Sequence, residues 1–280
     1  MQKIKASVKG ISFTVGVCCP NDAQKRGIQN WSLKHVRSQQ DVSEGNPLAA
    51  GLRSVLKEMG THKAYAPHVA ASSAAIVATH EVLWENIHLG EERILSRNRS
   101  VEADGLFLGR GRSYIMTGKG CPIIVASDGR DMIVSHAGRD SLVGREWVAG
   151  RLSKRPHISV VESIVKAFTE RGACLSEIEM AMLFSIPEDA FEHPFDEPTF
   201  GPYNRALTDF VARRWPGSVT CKNRSAYLNL EMLFEAQAEQ LGINAWTSHP
   251  ICEFPNLAYP RDSAEPRTDE KNLIVVKRNN

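Results

Sequence analysis

The sequence predicts an α+β (mixed α/β) fold, a single domain whose mixed β-sheets are flanked by helices. Short apolar runs bounded by turn residues crowd the middle of the chain, and amphipathic helical periods lie on either side of them. The two kinds do not alternate strictly, as they would in a βαβ array. At 280 residues the chain buries enough apolar surface without staples, and no linker or repeat divides it, so one domain over 1–280 is expected.

From Lys3 to Cys19 alternating apolar residues suggest a strand, and the polar stretch from Asn21 to Asn46 reads as a long loop or weakly ordered insertion. Leu48, Leu52, Val55 and Leu56 share one helical face, which predicts a helix from Leu48 to Met59 ended by Gly60. Ala74 to Ala78 is a short apolar segment before His80, and Leu89 to Glu102 has the look of a loop.

Strands are clearest at Gly105–Leu108, Ser113–Thr117, Ile123–Ala126 and Met132–Ser135, the last two joined by the hairpin turn Ser127-Asp128-Gly129-Arg130. Beyond them, Ser141–Leu152, Ser159–Arg171, Tyr203–Trp215 and Leu228–Leu241 read as helices. Ile178–Ile186 reads as a buried strand and Leu273–Val276 as the last one. The segment PEDAFEHPFDEPTFGP, from Pro187 to Pro202, reads as a structured loop at the surface or at a site mouth.

Composition narrows the function. A net charge of +2 sets up no field that attracts polyanions, so neither a nucleic-acid nor a membrane-surface role is expected. Six scattered cysteines without a C-x-x-C pair fit a reducing compartment. There is no signal-like N-terminus and no long apolar span, so the expected location is cytoplasmic.

Two motifs draw attention. GRGRSYIMTGKG (109–120) has the glycines and lysine of a phosphate loop, but its spacing is not that of a P-loop and a strand follows it; it reads as a hairpin loop with exposed basic residues. Cys121 and His136 stand at the open end of the predicted hairpin, where antiparallel pairing sets them side by side. A thiol beside an imidazole is a nucleophile with its base, a pair of metal ligands, or a buried cysteine with a hydrogen-bonded histidine. Of the other histidines, His62, His68, His88 and His157 lie in polar segments and read as solvated; His193 and His249, near prolines, are better placed to line a pocket.

With its flanks the hairpin resembles a known family. Ala103-Asp104-Gly105-Leu106, Cys121-Pro122-Ile123-Ile124-Val125 and His136-Ala137-Gly138 are similar, in order and spacing, to the A-D-A/G-L, A-D-C-L-P-V and H-A-G-W-R-G segments of the multicopper polyphenol oxidoreductase (laccase) domain family. Its members include the peptidoglycan editing factor and zinc-dependent purine nucleoside phosphorylases that also deaminate adenosine. Thr79-His80-Glu81-Val82 resembles the family's Q-V-H-G, Leu228-Asn229-Leu230 its L-D-L, and Ala258-Tyr259-Pro260-Arg261-Asp262 its S-Y-R-R-D.

The resemblance implies a single zinc held by His80, Cys121 and His136 at strand ends, with an open fourth position of the catalytic kind and copper as an alternative occupant. It implies phosphorolysis of a purine nucleoside, with phosphate as co-substrate. The alternatives are a copper-dependent phenol oxidase and a diverged metal-binding or cell-wall-precursor editing protein. Glu81, beside a ligand, is a candidate proton shuttle or orienting residue. The chain departs from the pattern after H-A-G, where Arg139-Asp140-Ser141 replaces Trp-Arg-Gly, and in the loop at Pro187, which lacks the family's cysteines. Arg139 is therefore a candidate anion contact in the catalytic site, or a surface arginine paired with Asp140 or Asp131.

Overall fold

A computed structural model describes residues 1–69, 75–80, 82–90, 92–144, 159–254, 256–257 and 270–280. The first predicted strand is a hairpin of β1 (Gln2–Val8) and β2 (Ile11–Cys18), because Lys9 and Gly10 both take positive φ and reverse the chain. The stretch read as a loop carries two short helices, α1 (Pro20–Lys25) and α2 (Gln39–Ser43). It is pinned by Trp31, which is fully buried and donates its indole N–H to the Cys19 carbonyl at 3.0 Å. The expected helix is present as α3 (Pro47–Glu58), with Asn46 capping the Leu48 amide.

Strands β3 (Lys63–His68), β4 (Ile76–Ala78), β5 (Glu85–His88) and β6 (Ile94–Glu102) follow, so the segment read as a loop before Glu102 contains a nine-residue strand. The central strands stand where expected, as β7 (Gly105–Phe107), β8 (Ser113–Gly118), β9 (Ile123–Ser127) and β10 (Met132–His136). Half of the glycine-rich motif is therefore strand rather than hairpin loop.

The helix expected from Ser141 is present as α4 (Arg139–Val143), ended by Gly144 in the left-handed region; its continuation to Leu152 lies outside the described residues. Beyond it come α5 (Val160–Thr169), β11 (Glu179–Leu183), β12 (Glu192–Pro194), α6 (Gly201–Arg214), β13 (Val219–Lys222), β14 (Ser225–Leu228), α7 (Leu230–Gln240), β15 (Asn244–Ser248) and β16 (Asn272–Arg278).

Two mixed sheets dominate, ordered β1-β2-β16-β8-β3-β6-β5 and β15-β11-β9-β10-β7-β4, with a small sheet β12-β14-β13 beside them. Side-chain alternation makes them the inner layers of a helix–sheet–sheet–helix stack. Ile123 and Val125 face Tyr114, Met116 and Ile274 between the sheets, whereas Ile124 and Ala126 pack with Ile164, Phe168, Leu207 and Phe234 of the helices. On the far face of the seven-stranded sheet, Ile115 and Val275 meet Leu52, Val55 and Leu56 of α3. Covering both faces explains why β9 and β10 are buried at every position and so stood out in the sequence. No helix among the described residues is long and apolar enough to cross a membrane.

Candidate active site at the β9–β10 hairpin

The tight turn between β9 and β10 fixes the register that builds the site. Asp128 Oδ1 accepts the amides of Arg130 and Asp131 at 2.9 and 2.7 Å, and Gly129 takes φ 89°. Ile123 then pairs with His136, and the Ala137 amide donates to the Pro122 carbonyl at 2.9 Å. The hairpin thus sets Cys121 beside His136, as the sequence predicts, close enough for each to shift the other's pKa. Gly138 lets the chain pass close over the pair: a Cβ there would stand 2.8 Å from both Cε1 and Nε2 of His136 and 3.8 Å from Cys121 Sγ.

Behind His136 lies a residue to which the sequence assigned no role. Asp104, fully buried just before β7, places Oδ1 3.1 Å from His136 Nδ1, and its carbonyl accepts the His136 amide at 2.9 Å. Tyr114 donates to that same carbonyl at 3.1 Å, and burial pushes its phenol far up, so it remains a neutral donor. Ser141 Oγ also lies 3.3 Å from His136 Nδ1. Burial opposes charge on His136, yet the Asp104 carboxylate and the Cys121 sulfur outweigh it and hold the imidazole pKa well above its usual value. Burial likewise pushes the Cys121 thiol up, but His136 wins and the thiol lies below its usual value. A half-buried thiol, an imidazole and a buried carboxylate therefore stand in line.

The other predicted residues sort differently. Arg139 follows Gly138 directly; its Nε donates to Asp140 Oδ1 at 2.8 Å, and its guanidinium sits 5.5 Å from the centre of the Tyr203 ring, whose hydroxyl reaches the same carboxylate oxygen at 3.3 Å. The Asp140 pairing weighed from sequence is thus present. His193 is buried next to this group, with Nδ1 3.0 Å from the Phe191 carbonyl. Burial, then the Arg139 charge, lower its pKa to about 4.

Glu81 lies outside the described residues. His80 is exposed in the turn after β4 and does not join Cys121 and His136; among the described residues no group of three metal donors forms. Strand direction accounts for the place of His80. β4 runs parallel to β7 with Ile76 opposite Gly105, and β10 runs antiparallel with Ser135 opposite Gly105. The C-terminal end of β4, where His80 follows, therefore points away from His136. Strand β3, by contrast, runs parallel to β8 with Tyr65 opposite Tyr114, so it ends in His68 on the side where Cys121 follows β8.

No family model matches the sequence, and no curated protein matches it. The fold does have counterparts among solved structures. The Neisseria meningitidis protein NMB0706, described under the family designation DUF152, superposes with a TM-score of 0.62 at 13% identity over 99% of each chain. YlmD from Geobacillus stearothermophilus gives 0.61 at 12% identity, over 99% of this chain and 92% of that one. The hypothetical protein YfiH of Bacillus licheniformis gives 0.63 at 13%, over 95% and 92%. The fold is the laccase-domain fold.

Two members of the donor set implied by the laccase-domain resemblance are suited to a divalent metal of the zinc type. A thiol of lowered pKa and an imidazole stand together, and Nδ1 of the imidazole is tied to a buried carboxylate, the usual support of a ligating histidine.

Proposed function

We propose that this chain is a zinc-dependent enzyme that cleaves the N-glycosidic bond of a purine nucleoside with phosphate, with deamination of adenosine as a second activity of the same centre. The observation that carries this reading is the line Cys121–His136–Asp104 in a laccase-domain fold. Cys121 and His136 would hold the metal. Zinc bound there supplies a Lewis acid able to orient phosphate or to lower the pKa of water. Asp104 fixes the His136 tautomer, and Arg139, steadied by Asp140 and Tyr203, meets the anionic co-substrate. Incubating metal-quantified protein with inosine or adenosine and phosphate tests this. Release of free base with matching ribose phosphate is expected; none from zinc-replete protein rejects it.

A second reading makes Cys121 a nucleophile activated by His136 and oriented through Asp104, and the lowered pKa of the thiol beside that imidazole favours it. It requires metal-stripped protein to keep full activity and to lose it on alkylation of Cys121, the reverse of the zinc reading.

A further inference from the structure

Four residues other than glycine among those described take positive φ: Lys9, Phe184, Asn223 and His249. Lys9 and Asn223 sit in the tight turns of the β1–β2 and β13–β14 hairpins, where such angles are required. Phe184 (φ 65°) and His249 (φ 51°) have no hairpin to account for them. Each is the first residue past a strand, β11 and β15, and those strands are parallel neighbours with Leu183 opposite Ser248. The Phe184 amide donates to the His249 carbonyl at 3.1 Å and the Ile251 amide to the Ser185 carbonyl at 3.0 Å, so the two strand ends turn together. For a bulky aromatic residue this region is disfavoured, and such strain collects where a side chain must be aimed for function.

The position of this double turn connects it with the site. Ser248 pairs with Leu183, Leu183 with Ile123, and Ile123 with His136, forming one row across β15, β11, β9 and β10. His249 and Phe184 are therefore on the same rim of the sheet as Cys121 and His136, His249 three strand spacings from β10, or about 14 Å, and Phe184 two. Phe184 is fully buried with its ring 5.3 Å from that of Phe254, and it anchors the turn. His249 is half-buried, its ring 6.5 Å from Phe254 and its Nδ1 3.7 Å from Glu253 Oε2. The anchored residue is apolar; the half-buried one is an imidazole within ion-pair distance of a carboxylate.

We propose that His249 is the far wall of the Cys121–His136 site and binds the heteroaromatic base of the nucleoside, with Glu253 orienting its imidazole. This rests on the nucleoside reading above and names the residue that recognises the base. An imidazole so placed donates or accepts at the polar edge of a purine and stacks on its face.

The test is calorimetric binding of inosine without phosphate, so that no phosphorolysis occurs, to zinc-loaded wild type, His249→Asn and His249→Gly, with melting temperatures measured alongside. Asparagine and glycine both accept the left-handed backbone, so the turn survives while the imidazole is lost. Dissociation constants at least about tenfold weaker in both variants, at an unchanged or higher melting temperature, are expected. Unchanged inosine affinity in the variants overturns the inference and leaves the nucleoside reading standing. Weakened binding accompanied by a lower melting temperature assigns His249 a structural role and also overturns it. Failure of wild type itself to bind inosine removes both.

Discussion

His136 Nδ1 stands 3.1 Å from Oδ1 of Asp104, a carboxylate with no exposed surface. The contact joins β10 to the start of β7 and leaves the other imidazole nitrogen for Cys121. Asp104→Ala leaves a buried imidazole without its partner, and about 3 kcal/mol of stability is expected to go with it. Urea denaturation of metal-free protein measures that loss. Competition with a chelator is expected to show zinc affinity reduced about 10- to 100-fold.

Gly138 is the closest approach of backbone to the pair. Gly138→Ala puts a methyl 2.8 Å from two His136 ring atoms, so the ring must shift although φ −63° at this position suits alanine. About 1–3 kcal/mol of destabilisation is expected, with most nucleoside cleavage lost. Calorimetric melting and steady-state rates of the same preparation check both; a variant with wild-type rates contradicts the close contact.

His193 predicts an acid-side loss of stability. Its pKa is lowered, by burial first and the Arg139 charge second, from 6.5 to about 4, so the unfolded chain binds the proton more tightly than the folded one. The contribution is complete above about pH 6.5 and is lost as pH falls through the interval to about 4, amounting to about 3 kcal/mol. The stability–pH slope of His193→Gln is expected to be flatter over that interval than that of wild type; parallel slopes rule out this source.

Strand direction bears on His80. His80→Ala is expected to leave zinc content unchanged, because β4 leads away from His136. Atomic emission of the dialysed protein reads this. Zinc loss in His80→Ala restores the assignment implied by the sequence resemblance.

Where covering layers impose a simple pattern, the sequence revealed the structure. β9, β10, α3 and α5 combine continuous or periodic apolar residues with a defined turn or cap, and all four appear within a few residues of expectation. β6 is not legible as a strand because its polar positions point to solvent in the sequence pattern, whereas in the fold Ser96 donates to Asn86 Oδ1 at 2.6 Å and the Arg97 guanidinium reaches the carbonyls of Leu33 and Val36. The segment after Asn21 is not legible because its anchors, Ile28, Trp31, Leu33 and Val36, are buried but widely spaced and form no strand or helix period.

The same contrast holds at the site. A hairpin is a local object, so Cys121 and His136 could be paired from spacing. Asp104 reaches His136 across 32 residues of chain, and its signal lay in the Ala103-Asp104-Gly105-Leu106 segment that carried the resemblance without a role attached. His80 was assigned by a local motif likeness, which contains no strand direction; pairing of β4 with β7 supplies it.

The most direct test of the central claim is the zinc content of wild type, Cys121→Ala and His136→Ala after dialysis, with circular dichroism to verify folding. One zinc per wild-type chain is expected, with near-complete loss in both folded variants. A wild-type chain that binds no zinc under loading conditions, or variants that retain it fully, would contradict it.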